Sequence, residues 1–261
     1  MGRKSVRSFD GKPLSEEHLQ DLGKFINDIP NPFDIPVEFK LLKADRYGLS
    51  SPVLSGEEYY VAGIVPKKPY ADVAFGYSFE RLVLHAWELG IGTVWIGGTM
   101  KRELFEQAAG LKDGERMPCV SPLGYPEAKR KLKETMMRKG ISADSRISAD
   151  KLFFAGEWGK PLTASDDIAA ILELVRWAPS AVNKQPWRII ERDGVYHFYE
   201  KKDKGFVNDA VGDMQKVDLG IALCHFIMGL EEKGKKAEVS IADPGITIPA
   251  DAEYIASAVI Q

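Results

Sequence analysis

Three basic side chains and two hydroxyl groups lie within six residues near the start of the chain. They belong to Arg3, Lys4, Ser5, Arg7 and Ser8. Guanidinium groups bind a phosphate dianion through paired, charge-assisted hydrogen bonds, and hydroxyl groups add further donors. The segment is therefore a candidate phosphate-binding site, and the alternative is a basic segment that only meets solvent.

A hydroxyl and two side-chain amides lie together between two tryptophans in the second half of the chain. Ser180, Asn183 and Gln185 stand between Pro179, which ends a predicted helix, and Pro186, which opens a predicted strand. Each amide offers both a donor and an acceptor, which suits a ring edge that alternates the two. A loop that only satisfied the carbonyls of a helix end would need fewer polar groups, so we interpret this one as a candidate ligand-binding loop.

Glycines surround a short apolar segment at residues 93–96, with Gly90 and Gly92 before it and Gly97 and Gly98 after it. The first two glycines are spaced as in the dinucleotide-binding fingerprint, but that fingerprint follows a strand and opens a helix. Here the predicted order is reversed, and position 95 holds a tryptophan instead of a glycine. We therefore exclude a Rossmann site and expect backbone that lies close against a flat group.

Other catalytic chemistry finds little support in the sequence. The chain has neither a Gly-x-Ser-x-Gly elbow nor a P-loop, and its four histidines lack the spacing of metal ligands. We expect no metal site. A basic run at residues 129–133 is of the kind that usually faces solvent.

The composition is that of an ordinary globular chain, with 261 residues, 44% hydrophobic and 28% charged. A net charge of −3 supplies no basic field for nucleic acid, and no apolar run approaches the roughly 20 residues that span a bilayer. The charged first residues do not resemble a signal peptide. Two distant cysteines, Cys119 and Cys224, are typical of the reducing cytoplasm, where we expect the protein.

Apolar periodicity and the Pro and Gly breakers predict alternating helices and strands. The predicted helices cover about residues 15–27, 70–89, 101–109, 165–177 and 214–232. The predicted strands cover about residues 38–43, 59–65, 93–96, 119–123, 187–191, 195–199, 238–241 and 254–259. A basic segment at residues 130–139, after the strand at 119–123, is predicted to be a helical connector.

The order of elements in the two halves is similar, which indicates a degenerate duplication. Residues 9–15 parallel residues 157–163, since each segment carries Gly-Lys-Pro-Leu just before a capped helix. One long helix also recurs in the corresponding place of each half.

Residues 3–7, 178–187 and 89–98, with 123–126 after them, together resemble the nitroreductase family of FMN-dependent oxidoreductases. The resemblance covers most of the chain, but the order of its motifs differs. In ordinary members the polar loop follows the first helix. Here that place holds residues 31–34, Asn-Pro-Phe-Asp, and the loop comes only in the second half.

The resemblance and the duplication together imply a fused pseudo-dimer, as in the tandem nitroreductase-like subfamily. Ordinary members are homodimers in which one subunit gives the arginine motif and the partner gives the loop. Here the first half keeps the arginine motif. The corresponding segment of the second half, residues 152–155, reads Leu-Phe-Phe-Ala and has no phosphate donors. We predict an α+β nitroreductase-like fold with two halves, 1–145 and 146–261. Each half has a mainly antiparallel sheet flanked by helices, and the chain is a monomer with one flavin site.

The resemblance also implies roles for individual residues. Arg3 and Ser5, with Lys4, would hold the phosphate and ribityl chain, and Arg7 would lie near the pyrimidine edge, where a cation favours the reduced flavin. The other half would contribute Pro179, Ser180, Asn183 and Gln185 to the ribityl chain and ring edge. The backbone of residues 95–98 would pack beside the ring: Trp95, Ile96, Gly97 and Gly98. Arg130 is our choice from the basic run 129–131 to complete the phosphate pocket.

The implied activity is ping-pong transfer of a hydride from NADH or NADPH through FMN to a small-molecule electron acceptor, such as a nitroaromatic or a quinone. No side chain stands out as a catalytic acid or base, and the sequence does not choose between NADH and NADPH. The rival hypothesis is a flavin-binding protein without turnover that serves in storage, sensing or electron relay. A third hypothesis is that only the scaffold remains and flavin binding has been lost. The intact segments 3–7 and 180–185 argue against it.

Overall fold

The computed structural model describes residues 2–128, 140, 142 and 144–261. Within them, the helices are α1 Glu16–Phe25, α2 Ala44–Tyr47, α3 Ala71–Glu88, α4 Arg102–Ala109, α5 Asp166–Trp177 and α6 Met214–Glu232. The strands are β1 Glu38–Lys43, β2 Tyr59–Pro66, β3 Glu115–Arg116, β4 Val120–Leu123, β5 Phe153–Ala155, β6 Trp187–Arg192, β7 Val195–Lys201, β8 Val207–Asn208, β9 Gly212–Asp213, β10 Ala237–Ser240 and β11 Ala252–Ile260. The five predicted helices are confirmed, each within two residues. The predicted connector at 130–139 lies outside the described residues.

Helix α1 shows how local sequence sets these boundaries. The Ser15 hydroxyl accepts a hydrogen bond from the backbone N–H of His18 at 3.2 Å, so it caps the helix as predicted. Glu16 and Glu17 lie in the first turn, where the helix dipole favours negative charge.

The strands of the described residues form two larger sheets, both mainly antiparallel as predicted. In the first sheet, β2 pairs antiparallel with β1, β3 and β4. The second sheet has the order β10-β11-β7-β6-β5, and only its β5–β6 pair is parallel. Strands β8 and β9 pair separately. With helices packed beside these sheets, the α+β class is confirmed.

The two long helices, α3 and α6, pack against each other in the main core. Glycines allow the close contact. A Cβ on Gly76 would lie 2.0 Å from the Val217 carbonyl oxygen, and a Cβ on Gly220 would lie 2.0 Å from the Val73 carbonyl oxygen. The contact is therefore reciprocal, since each glycine meets the carbonyl three residues before the other.

The predicted strand at residues 93–96 is wrong. Only two isolated bridges flank it, Gly92 to Gly124 and Ile96 to Val120. Between them, the Val94 N–H bonds to the Ser121 hydroxyl at 3.1 Å, so a side chain takes the place of a backbone partner and the ladder is interrupted. No helix in the described part of the chain is long and apolar enough to cross a membrane.

Candidate functional site

The basic segment and the polar loop, more than 170 residues apart in the sequence, line one cavity of about 230 Å³. Each contributes three of the predicted residues: Arg3, Lys4 and Ser5 from the segment, and Pro179, Ser180 and Asn183 from the loop. The C-terminal halves of α3, α5 and α6 supply most of the remaining wall, including Leu84, Leu174 and Met228, and Asp144 and Arg146 complete it. The structure therefore joins the two motifs that the sequence analysis singled out.

Backbone contacts hold the basic segment beside residues 90–98, the glycine-rich turn. The Val6 N–H donates to the Thr93 carbonyl at 2.9 Å, and the Phe9 N–H donates to the Ser55 carbonyl at 2.8 Å. A Cβ on Gly92 would lie 2.9 Å from the Val6 side chain, so only glycine allows this close approach.

Arg3 carries an unused donor at this cavity. Its Nη1 is buried and has no hydrogen-bond partner among the described residues. Its Nε lies 4.0 Å from Oε1 of Glu80, whose side chain is completely buried. A buried guanidinium N–H without an acceptor is costly, and a phosphate oxygen would satisfy it. The donor set therefore fits a phosphate-bearing ligand.

Glu80 connects Arg3 to two other segments. The Trp95 indole N–H donates to Oε2 of Glu80 at 3.0 Å, and Nε2 of His225 lies 2.9 Å from Oε1. Trp95 packs against Phe79, with ring centroids 4.6 Å apart, and does not line the cavity. The glycine-rich turn thus contacts the site through this buried carboxylate as well as through its backbone contact with Val6.

The polar loop is held in an unusual backbone conformation. Val182, Asn183 and Gln185 have φ angles of +41°, +59° and +51°, in the left-handed region that side chains other than glycine disfavour. The Ala181 N–H donates to both carboxylate oxygens of Asp218, at 3.0 and 3.1 Å. Burial raises the pKa of Asp218 well above its usual value.

The two amides of this loop are occupied by hydrogen bonds within the protein. The Asn183 amide donates to the Ser142 carbonyl at 2.8 Å, and its oxygen accepts from Arg146 at 3.2 Å. The Gln185 oxygen accepts from the Ile147 N–H at 2.9 Å, and Gln185 is 3% exposed. Both amides therefore fix the shape of the loop, and only Asn183 also lines the cavity.

Several predicted site residues lie away from this cavity, and their contacts with a cofactor stay predictions. They are Arg7, Trp95, Ile96, Gly97, Gly98 and Gln185. The Gly97 carbonyl accepts a hydrogen bond from Arg102 at 2.6 Å, while Gly98 is exposed. Arg130 lies outside the described residues.

Sequence reasoning missed much of the cavity wall, including Trp87, Arg146, Trp177 and His225. Trp87 and Trp177 are half-exposed there, and the Arg146 guanidinium lies 4.8 Å from the centroid of the Trp177 ring. His225 interrupts the otherwise apolar run at residues 219–230 of α6, a signal that could have identified it. In the described part of the chain, no group of three metal-ligating side chains comes together.

Comparisons with known proteins agree with the predicted fold. A family model described as "Putative TM nitroreductase" matches residues 1–230. A crystal structure described as a putative nitroreductase from Thermotoga maritima is 19% identical, covers 98% of this chain and 89% of its own, and has a TM-score of 0.63. An FMN-dependent nitroreductase from Clostridium difficile R20291 is 16% identical, covers 50% of this chain and 87% of its own, and has a TM-score of 0.43. A search of curated proteins found no match.

Proposed function

The chain belongs to this nitroreductase family, and from that premise we propose that it is an FMN-dependent oxidoreductase. NADH or NADPH would be the reductant, and a nitroaromatic, quinone or similar electron-poor compound the acceptor. The observation that carries the proposal is the cavity where Arg3, Lys4 and Ser5 meet the loop at Ser180 and Asn183. It combines an unused buried guanidinium donor with apolar walls, as a phosphate-bearing aromatic cofactor requires.

The residues of the cavity have distinct roles in this proposal. Arg3, Lys4 and Ser5 would hold the phosphate, because they offer charged and hydroxyl donors. The Ser180 hydroxyl would meet the ribityl chain. When bound, FMN supplies the two-electron redox chemistry, so no side chain needs to act as a nucleophile. Leu84, Leu174 and Met228 would exclude water from the bound group.

We further propose that the chain is a pseudo-dimer with halves 1–145 and 146–261. Each larger sheet takes its strands from one side of residue 145, and α3 and α6 make reciprocal glycine contacts between the halves. At the counterpart of the arginine segment, Leu152, Phe153 and Phe154 are buried in the core. Buried apolar side chains cannot bind a phosphate, which supports a single flavin site.

The test is the visible absorption spectrum of the protein after reconstitution with FMN, with the flavin counted per chain. We expect one FMN per chain and oxidation of NADH or NADPH on addition of a quinone. Arg3→Ala should weaken FMN binding roughly 10- to 100-fold, since it removes charge-assisted hydrogen bonds. Arg46→Ala, at an exposed arginine outside the cavity, is the matched control and should bind FMN normally.

Each other outcome has a definite meaning. Two FMN per chain would contradict the single composite site, and none would contradict the proposed function. One FMN without NAD(P)H oxidation would favour the rival role in storage, sensing or electron relay.

A further inference from the structure

Glu80 places a negative charge in the interior, between three segments of the chain. Its side chain is 0% exposed, and its oxygens face Arg3 of the basic segment, Trp95 of the glycine-rich turn and His225 of α6. A buried carboxylate is stable only if charged or hydrogen-bonding partners compensate for its lost hydration. Arg3 and His225 are the basic partners within 4.0 Å in the part of the chain described.

Arg3 and His225 approach the same oxygen of Glu80. Nε2 of His225 lies at hydrogen-bond distance from Oε1, at 2.9 Å, and Nε of Arg3 lies at ion-pair distance, at 4.0 Å. Each also has a nitrogen without a hydrogen-bond partner among the described residues, Nη1 of Arg3 and Nδ1 of His225. Both side chains line the same cavity. Glu80 thus holds two basic groups whose remaining nitrogens can serve a ligand.

We propose that Arg3 and His225 form a phosphate-binding pair, and that Glu80 is the positioning residue that orients both. This proposal adds detail to the proposed function. The identification of the ligand as the phosphate of FMN rests on that proposed function. The ring of His225 contacts Glu80 through Nε2 and presents Nδ1 to the phosphate. Arg3 adds a charged guanidinium donor.

The other charges of the cavity favour the same position for an anion. The lining carboxylates Glu88, Asp144 and Glu232 are exposed, so solvent screens them. Lys4 and Arg146 add two further cations. The phosphate is therefore expected at the buried end of the cavity, where Glu80 holds its two partners.

The experiment compares ligands with and without a phosphate on the full-length apoprotein. Dissociation constants for FMN and for riboflavin are measured by quenching of flavin fluorescence, and the thermal shift caused by inorganic phosphate is recorded separately. The variants are Glu80→Gln and His225→Gln. The matched control is His85→Gln on α3, because His85 also pairs with a carboxylate, Asp21, but does not line the cavity.

We expect both variants to weaken FMN binding about 10- to 100-fold, the range for losing a charge-assisted hydrogen bond. Riboflavin binding should change less than about twofold, because riboflavin has no phosphate for the pair to bind. The stabilisation by inorganic phosphate should shrink in both variants and stay intact in His85→Gln. A merely structural role of Glu80 would weaken FMN and riboflavin alike.

Equal losses for FMN and riboflavin, unchanged FMN binding, or tighter FMN binding in Glu80→Gln would overturn the proposal. Circular dichroism shows whether each variant is folded. If one variant is unfolded, the binding data of the other variant test the proposal. If the wild type binds no FMN, but inorganic phosphate stabilises it and this stabilisation is lost in Glu80→Gln and His225→Gln, the proposed function is wrong and the phosphate-binding pair is supported. If it binds neither, the pair is rejected as well.

Discussion

Glu200 on β7 is a second buried carboxylate, and it lacks the compensation that Glu80 has. It is 1% exposed, and its Oε2 has no hydrogen-bond partner among the described residues. Burial and, to a smaller extent, the nearby Asp213 raise the pKa of Glu200 to about 7, although Lys216 acts in the opposite direction. The folded protein therefore binds this proton more tightly than the unfolded chain does.

The pH dependence of stability follows from this difference. Because the folded state holds more protons between about pH 4.5 and 7, the free energy of unfolding falls as pH rises through that window. The full effect would be roughly 3 kcal/mol. In Glu200→Gln this contribution is absent. We expect the stability of the variant relative to wild type to rise by about 1–3 kcal/mol from pH 5 to pH 8.

Urea unfolding of Glu200→Gln and wild type at pH 5, 6, 7 and 8 checks this prediction. Glu238→Gln, at an exposed strand position, is the control and should show no such trend. A stability difference that does not vary with pH would show that Glu200 stays ionised throughout.

At the scale of elements, the crossing of α3 and α6 determines the geometry of the site. Gly76 and Gly220 let the helix backbones touch, and the same two helices carry Glu80 and His225. A change in helix separation would therefore also change the 2.9 Å contact between these side chains.

Gly76→Ala and Gly220→Ala should each destabilise the protein by about 2–4 kcal/mol, because the added methyl group would overlap a backbone carbonyl that cannot rotate away. Both should also weaken FMN binding. Gly23→Ala in α1 is the matched control, since a Cβ there meets nothing within 4 Å. It should stabilise the protein by about 0.5–1 kcal/mol, the usual gain for alanine in a helix. Thermal and urea unfolding measure both effects. If Gly76→Ala and Gly220→Ala are as stable as the wild type, α3 and α6 can move apart without a loss of stability, which would contradict this prediction.

At the scale of the whole molecule, residues from both of the proposed halves pack in one continuous core. This core contains residues of α3 and the first sheet together with residues of α5, α6 and the second sheet. If the interface of an ordinary nitroreductase dimer is internal here, the chain has no need of a partner to complete its site.

We therefore predict a monomer of 29.0 kDa by light scattering, with and without FMN. The same sample gives the flavin content per chain, so mass and site number are determined together. A mass of twice this value would contradict the internal pseudo-dimer, above all if FMN binding depended on protein concentration.

Features that depend on neighbouring residues could be predicted from the amino-acid sequence. The Ser15 cap, the acidic first turn of α1 and the apolar periodicity act over a few residues, so the predicted helix ends agree within two residues. The basic segment and the polar loop could be recognised because each is a short continuous motif. The α+β class was predicted from the family resemblance that these motifs carry.

The hydrogen bonds between groups that are distant in the sequence depend on the tertiary fold. Residues 93–96 lose a regular strand because a serine hydroxyl 27 residues away bonds Val94. The amides of Asn183 and Gln185 turn to backbone groups near residue 145 that the sequence could not place beside them. Glu80 and His225 are 145 residues apart, and no periodicity links them. Burial and hydrogen-bond geometry could not be predicted from the sequence, because they depend on which surfaces of the helices and strands pack against each other.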